Sequence, residues 1–166
     1  MNITRNTLAP VVRQAAVTTL NNSVAELFDL FGRIKQAHWN VRGTTFIGLH
    51  KLLDEFAGRI LNHIDLTAER ATALGGIVEG TLRESAKHSH LKKKEEPDSI
   101  SGMRDWINEL ADVHAAAGEH TRKAIKKITD AEDFGTADLL TDVLRTLDLQ
   151  LWLLEAHLNR QKSQRE

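Results

Sequence analysis

The sequence predicts an all-α protein, a bundle of four long helices with a short additional helix between the second and the third. Apolar residues recur at spacings of three and four over long segments, which is the period of an amphipathic helix. The alternation of β-branched residues that indicates strands is missing. The only prolines are Pro10 and Pro97, so long helices are uninterrupted by this helix-breaking residue.

The first predicted helix covers about residues 8 to 39, with proline tolerated near its start and "NVRGTT" after its end. Its apolar stripe consists of Leu20, Val24, Leu27, Phe28, Phe31 and Ile34. The second predicted helix covers about residues 45 to 74 and ends at Gly75 and Gly76, because glycine readily takes the left-handed conformation that closes a helix.

The connection that follows, about residues 77 to 96, ends in the charged run "HSHLKKKEE", which we expect to form solvated surface around a short connecting helix. After Pro97, either Asp98 or Ser99 is expected to cap the third long helix. The segment "DAEDFGT" separates this helix from the fourth. The apolar stripe of the third helix is Met103, Trp106, Ile107, Leu110, Val113, Ala117 and Ala124, and that of the fourth is Leu139, Leu140, Val143, Leu147, Leu151 and Leu154.

The first and third links are short and the middle connection is long, so the middle connection must cross over the bundle, as in ferritin-like folds. A chain of 166 residues has the length of one domain, so we expect a single ferritin-like domain over residues 1–166, with flexible tails at residues 1–7 and 159–166.

Composition excludes several classes of function. The chain has no cysteine, which rules out disulfides, thiolate metal sites and thiol catalysis. Its net charge of −1 is not typical of a basic nucleic-acid-binding protein. The N-terminus lacks a signal-peptide pattern, and no apolar run approaches the ~20 residues of a membrane span. We therefore expect a cytoplasmic protein that does not enter a membrane.

The second helix has two distinct faces when successive residues are placed about 100° apart. One face is apolar and is expected to pack in the chain's own core. It consists of Leu49, Leu53, Phe56, Ile60, Ile64, Thr67, Ala71 and Leu74. The other face combines metal-ligand residue types with small or apolar residues that suit contact with another helix. It consists of His50, Asp54, Asp65, Glu69, Ala57, Gly58, Leu61 and Ala68.

The four ligand-type residues of this second face are spaced symmetrically. The midpoint of His50 and Glu69 is also the midpoint of Asp54 and Asp65. One metal centre cannot include all four, because Asp54 and Asp65 are about 16 Å apart along the helix. If two copies of the helix cross antiparallel on a twofold axis at the midpoint, His50 meets the partner's Glu69 and Asp54 meets its Asp65. Each dimer would then contain two identical shared sites.

His38 ends the first helix, and the hairpin turn places it where it can join His50 and Asp54 as a third ligand of the same chain.

Asp65 and Glu69 are like charges one turn apart, which repel unless a cation lies between them. Imidazole with carboxylates suits iron, zinc or manganese, and a sparse ligand set leaves positions open for redox or hydrolytic chemistry. A surface His–Asp pair remains the alternative for His50 and Asp54.

Four further histidines are interpreted as structural rather than as ligands: His63, His114, His120 and His157. A carboxylate-bridged di-iron site inside one bundle uses Glu-x-x-His on two helices. None of the histidines has a glutamate three residues before it, so that type of site is excluded.

The segment "KQAHWNVRGTTFIGLHKLLDEF", followed by "NHIDLTAERATALGG", resembles the Dps family of miniferritins, the DNA-binding proteins from starved cells. The resemblance continues more weakly through "RKAI", "TADLLT" and "LDLQLWLLEAHL", so it covers nearly the whole chain. It implies a homo-oligomeric hollow shell of twelve subunits, which oxidises Fe(II), preferably with hydrogen peroxide, and stores ferric mineral. Oxidation by two electrons without hydroxyl radical would protect DNA.

In that family the matching side chains form a ferroxidase site between two subunits, with His38, His50 and Asp54 from one chain and Asp65 and Glu69 from its partner. The resemblance thereby names iron as the metal, with zinc or manganese as other possible occupants.

Two further roles follow from the resemblance. Trp39 matches a tryptophan beside the family's site, where it would supply an electron or quench a radical; alternatively it only anchors the hairpin turn. Asp138, Asp142 and Asp148 match the region whose acids line the threefold pores through which iron enters, and acidic pores attract Fe(II).

DNA binding is a separate question. Family members that bind DNA often use a lysine-rich N-terminal tail, whereas residues 1–13 offer only Arg5 and Arg13. The C-terminus "NRQKSQRE" carries Arg160, Lys162 and Arg165, which a shell would present in many copies. Two alternatives to the ferroxidase therefore remain: a nucleoid-associated DNA-binding protein with a vestigial or structural metal site, and an oligomeric bundle that binds only zinc.

Overall fold

A computed structural model of the protein describes residues 1–91 and 102–158. Within these ranges the chain forms five helices and no strand: α1 (Pro10–Asn40), α2 (Phe46–Ala73), α3 (Leu82–His88), α4 (Met103–Asp130) and α5 (Phe134–Leu158). The predicted ferritin-like, all-α fold is confirmed, and α3 is the short helix expected in the long connection.

The first hairpin packs α1 against α2, and the second packs α4 against α5; α1 also contacts α4, and α2 contacts α5. The apolar stripe predicted for α2 is buried along its whole length. At ~1.5–3 kcal/mol for each large side chain removed from water, these stripes supply the main driving force that holds the hairpins together.

Two glycines end α2, as predicted. Gly75 has a φ of 86°, and the amide of Gly76 donates to the carbonyl of Ala71 over 2.9 Å, which together close the helix with a Schellman-type turn. Gly76 also lies against Val17 of α1: a β-carbon at this position would be 2.5 Å from Val17 Cγ1. The turn therefore needs glycine both for its conformation and for its close approach to α1.

The N-terminal segment, residues 1–7, is not helical and lies beside this turn. The amide of Asn2 donates to the carbonyl of Gly75 over 2.6 Å, and Arg13 Nη1 donates to the carbonyl of Leu74 over 3.2 Å. The expectation that residues 1–7 form a flexible tail stays a prediction.

The cap predicted for the third long helix is wrong. Its helix α4 begins at Met103, and Gly102 is the N-cap, with its amide donating to Asp105 Oδ2 over 3.1 Å. Asp98 and Ser99, the predicted caps, lie outside the described residues, as do most of the charged run "HSHLKKKEE" and the tail 159–166. Asp105, in the first turn of the helix, is the hydrogen-bond acceptor for the Gly102 amide, so this amide needs no partner from a side chain before Gly102.

Candidate metal centre

His38 and His50 are brought together by the α1–α2 hairpin and bind each other's backbone. His38 Nδ1 is 2.8 Å from the carbonyl oxygen of His50, and His50 Nδ1 is 2.9 Å from the carbonyl oxygen of His38. The two rings stack with centroids 3.8 Å apart and planes 20° apart. The reciprocal pairing fixes both rings at the point where α1 ends and α2 begins.

This pairing also determines which ring nitrogens are available. A carbonyl oxygen only accepts hydrogen bonds, so each Nδ1 must carry the proton and donate it. In the neutral rings each Nε2 then keeps its lone pair. Histidines that bind metals are usually held in this way, with the second nitrogen donating to a carbonyl or a carboxylate. The pairing therefore leaves Nε2 of each neutral ring with a free lone pair, as the predicted ligand role requires.

Asp54, one turn after His50, adds a carboxylate to the pair. Asp54 Oδ1 is 4.0 Å from His38 Nε2 and accepts a hydrogen bond of 2.7 Å from Lys35 Nζ. The Lys35 ammonium, with smaller contributions from the two histidines, lowers the pKa of Asp54 from its usual value. The carboxylate is therefore ionised at neutral pH, and a cation already lies against it.

The structure does not bring Asp65 and Glu69 to this group. Both are exposed on α2, and about 16 Å of helix separates Asp54 from Asp65. Within one chain the five predicted ligands therefore form two separate sets, as the prediction of a site shared between two chains requires.

A groove of about 590 Å³ lies beside Asp65 on this face of α2. Gly58 and Leu61 of α2 line it, together with Phe28 of α1, and Leu61 is 50% exposed. A β-carbon at Gly58 would meet nothing within 4 Å in the single chain. The groove is apolar and shallow at the midpoint between the two ligand sets, so it fits the predicted contact with a second α2 helix.

Trp39 is 61% exposed beside the histidine pair. The Lys35 ammonium lies 5.8 Å from the centroid of the Trp39 ring. The backbone carbonyl of Trp39 accepts a hydrogen bond from Arg42 Nη1 over 3.1 Å. These contacts test neither its predicted redox role nor the alternative that it anchors the hairpin turn.

The three acids predicted for the iron pores are all exposed on α5. Two of them have arginine partners in the single chain. Asp148 accepts from Arg122 Nη2 over 2.7 and 2.9 Å, and Asp142 accepts from Arg145 Nη2 over 2.9 Å. These pairs reduce the negative charge that Asp142 and Asp148 would give to a pore, and the pore itself stays a prediction.

Sequence reasoning missed a group of ligand-type side chains near α3: Glu79, Glu84 and His88. One ligand atom from each lies within 4.8 Å of the others, and no other such group of three occurs among the described residues. The only sequence signal was the i,i+4 spacing of Glu84 and His88. Glu79 is added by the turn before α3, which the sequence pattern does not locate.

The C-terminal residues predicted to contact DNA, Arg160, Lys162 and Arg165, lie outside the described residues. None of the described helices is long and apolar enough to cross a membrane.

Comparisons with known proteins agree with this architecture. Residues 17–163 match the family model described as a ferritin-like domain. The chain is 40% identical to the "DNA protection during starvation protein" of Agrobacterium fabrum, over 93% of this chain and 94% of that protein. It is 32% identical to the protein of the same name from Brevibacillus brevis, over 89% and 97% of the two chains. The solved structure of DpsC from Streptomyces coelicolor superposes with a TM-score of 0.87 at 32% identity, covering 95% and 92%.

Proposed function

This chain belongs to the Dps family of ferritin-like proteins, and we propose that it is a ferroxidase that oxidises Fe(II), preferably with hydrogen peroxide, and stores the ferric product in a hollow shell. The observation that carries the proposal is the reciprocal His38–His50 pairing, which leaves both Nε2 atoms available, with that of His38 4.0 Å from Oδ1 of the ionised Asp54. Two imidazoles and a carboxylate form a ligand set that suits iron, with zinc or manganese as competitors.

The partner's Asp65 and Glu69 would complete each site, so that the site exists only in the dimer. Fe(II) binding replaces the Lys35 ammonium at Asp54 and neutralises the mutual repulsion of the two partner carboxylates. A twofold dimer then carries two equal sites, one at each end of the crossed α2 helices.

The reaction proposed for the site is the two-electron reduction of peroxide by two Fe(II) ions. Each Fe(II) gives one electron, the O–O bond breaks, and two protons are taken up to form two water molecules and two Fe(III). Pairing the two electrons avoids release of a hydroxyl radical, which one-electron transfer from a single Fe(II) would produce. Trp39, which follows His38 in sequence and is exposed, would donate an electron or quench a radical.

The remaining parts of the proposal concern the assembly. A shell of twelve subunits would store the mineral. It would lie in the cytoplasm, in association with the nucleoid if the protein binds DNA. Acids on α5 would draw Fe(II) inward, and Asp138 contributes most to that field if the arginine pairs of Asp142 and Asp148 persist in the shell.

An anaerobic Fe(II) titration followed by a stoichiometric peroxide pulse tests the ferroxidase. Ferric absorbance gives the rate, and spin trapping detects hydroxyl radical. We expect fast oxidation of about two Fe(II) per peroxide with little radical. His50→Ala should abolish the fast phase while the shell still assembles, and His157→Ala, at an exposed position on α5, is the matched control. Oxidation by the wild type no faster than in buffer would contradict the proposal.

The names of the two relatives, which refer to DNA protection, favour a second function: direct DNA binding. A gel shift at low salt with the full chain and with a variant lacking residues 159–166 tests it. A shift that disappears with the tail supports binding through Arg160, Lys162 and Arg165. If neither protein shifts DNA, protection proceeds through iron oxidation alone.

A further inference from the structure

Away from the histidine pair of the hairpin, a second imidazole cluster joins three parts of the chain. It consists of Glu26 on α1, His120 on α4 and His90 in the segment after α3. His120 Nδ1 is 2.9 Å from Glu26 Oε1, and the rings of His90 and His120 lie edge to face with centroids 6.4 Å apart. Glu26 and His38 are separated by about 18 Å along α1, so this cluster is distinct from the ferroxidase site.

The Glu26 carboxylate is buried, with 11% of its side chain exposed, and it can only accept a hydrogen bond when ionised. When Glu26 is ionised, His120 Nδ1 carries the proton of this hydrogen bond, and the neutral ring keeps a lone pair on Nε2. This is the carboxylate–histidine arrangement in which a carboxylate behind the ring orients it toward a metal. Burial raises the pKa of Glu26, and the positive charge of a nearby cation would help to keep it ionised.

A small movement of His90 would bring the two rings to the separation that one tetrahedral ion requires. A metal lies about 2.0–2.1 Å from an imidazole nitrogen, and so about 3.2 Å from the ring centroid. Two imidazoles on one ion therefore have centroids about 5 Å apart for tetrahedral ligands and about 6.4 Å apart for opposite ligands. His90 is exposed, so its ring can turn toward His120 without repacking of the core.

A cavity of about 260 Å³ adjoins the cluster and gives room for water ligands. Ser23, Thr121, Lys123 and Lys127 are among the residues that line it. Lys123 is paired with Glu119, which limits its repulsion of a bound cation.

We propose that His90 and His120, with Glu26 as the orienting carboxylate, bind one divalent transition-metal ion of the imidazole-preferring class, represented by Zn²⁺. The ion would tie His90, just after α3, to α1 and α4. Its role would be structural, and it goes beyond the proposed iron oxidation.

Equilibrium dialysis of the assembled protein against micromolar Zn²⁺ tests the site. His50→Ala is used as the background in every sample, so that zinc at the ferroxidase site does not obscure the result. We expect one zinc per chain fewer in His90→Gln and in His120→Gln, and no change in the control His157→Gln. Unchanged zinc content in both variants would overturn the proposal.

Glu26→Gln distinguishes an orienting role from a merely structural one. The amide keeps an acceptor oxygen but loses the charge, so zinc stoichiometry should stay the same while Kd rises about 10–100-fold. An unchanged Kd would remove Glu26 from the site.

A measurement on the protein with no change at His90 or His120 avoids any folding defect of the variants. Zinc should slow the reaction of these two imidazoles with diethylpyrocarbonate, read by peptide mass spectrometry, and leave His157 unaffected. Equal reactivity with and without zinc would overturn the proposal.

Peroxide-driven Fe(II) oxidation, measured in His90→Gln and His120→Gln without the His50 change, should remain normal, which separates this proposal from the ferroxidase.

Discussion

The protonated nitrogen of each histidine decides what that side chain can bind. His38 and His50 use Nδ1 on backbone carbonyls, so Nε2 remains available on both. His157 Nδ1 also donates to a backbone carbonyl, that of Leu153 one turn earlier on its own helix. Only the bonds between α1 and α2 bring a second ring and a carboxylate close to the free nitrogen.

Lys35 is expected to compete with iron for Asp54. Lys35→Gln removes the ammonium that now lies 2.7 Å from the carboxylate, so Fe(II) should bind several-fold more tightly. Anaerobic Fe(II) titration gives the affinity. Lys126→Gln, which breaks the exposed Lys126–Asp130 pair on α4, is the control. Weaker iron binding in Lys35→Gln would instead mean that the lysine supports the loaded site.

His114 should make stability depend on pH. It is fully buried, Nδ1 donates to the carbonyl of Leu110, and burial lowers its pKa from the usual value of 6.5. The folded chain therefore protonates at lower pH than the unfolded chain, so the stability of the neutral state is complete above about pH 6.5 and is lost as the pH falls below it. His63, whose pKa is also lowered by burial, contributes in the same direction.

Thermal unfolding at pH 7.5 and at pH 5.5 tests this dependence. His114→Gln should lower Tm at both values but reduce the difference between them. His157→Gln, at an exposed position, should keep the wild-type difference. An identical difference in all three proteins would mean that other groups set the acid sensitivity.

At the scale of whole helices, Asp133 fixes the relation of α5 to α2. It precedes α5 as its N-cap, and Oδ1 accepts from the amide of Thr136 over 3.1 Å. Arg70 of α2 donates to the same carboxylate over 2.7 Å, although Asp133 is only 1% exposed. One side chain therefore caps a helix and joins it to the neighbour that carries the ligands.

Asp133→Ala removes both the cap and the partner of Arg70, so we expect a loss of about 3 kcal/mol in the free energy of unfolding. Asp133→Asn keeps a capping oxygen and should lose less. Urea unfolding followed by circular dichroism measures both. Equal losses in the two variants would show that the charge, and not the cap, carries the whole effect.

At the scale of the assembly, the site is expected to be shared between chains. In a dimer of one His50→Ala chain and one Glu69→Ala chain, one site carries both defects and the other carries none. Random mixing of equal amounts makes half of the dimers mixed, so about a quarter of all sites should be intact.

Coexpression of the two variants tests this arrangement, with the rate of peroxide-driven Fe(II) oxidation as the readout. Each variant alone should lack the fast phase, and the mixed shell should recover about a quarter of it. Mixing two separately assembled variant shells is the control and should recover nothing. No recovery in coexpressed shells would contradict a site shared between chains.

The sequence by itself determined the helices and their buried faces, and it identified the candidate ligand residues of α2. Periodic stripes and the Gly75–Gly76 stop are local signals, because burial and backbone conformation act over one or a few turns. The apolar stripe of α2 could therefore be predicted residue by residue. The cap of α4 could not, because Asp105 reaches back to Gly102 from inside the helix.

Only the tertiary structure decided which nitrogens of His38 and His50 are free, that Lys35 holds Asp54, and that Glu26, His90 and His120 form a cluster. These are contacts between segments distant in sequence, with side-chain rotamers and ring orientations set by neighbours that no local pattern names. The symmetric spacing of His50, Asp54, Asp65 and Glu69 along α2 is the intermediate case. Its symmetry can be read from the sequence, but its meaning depends on how two folded chains meet.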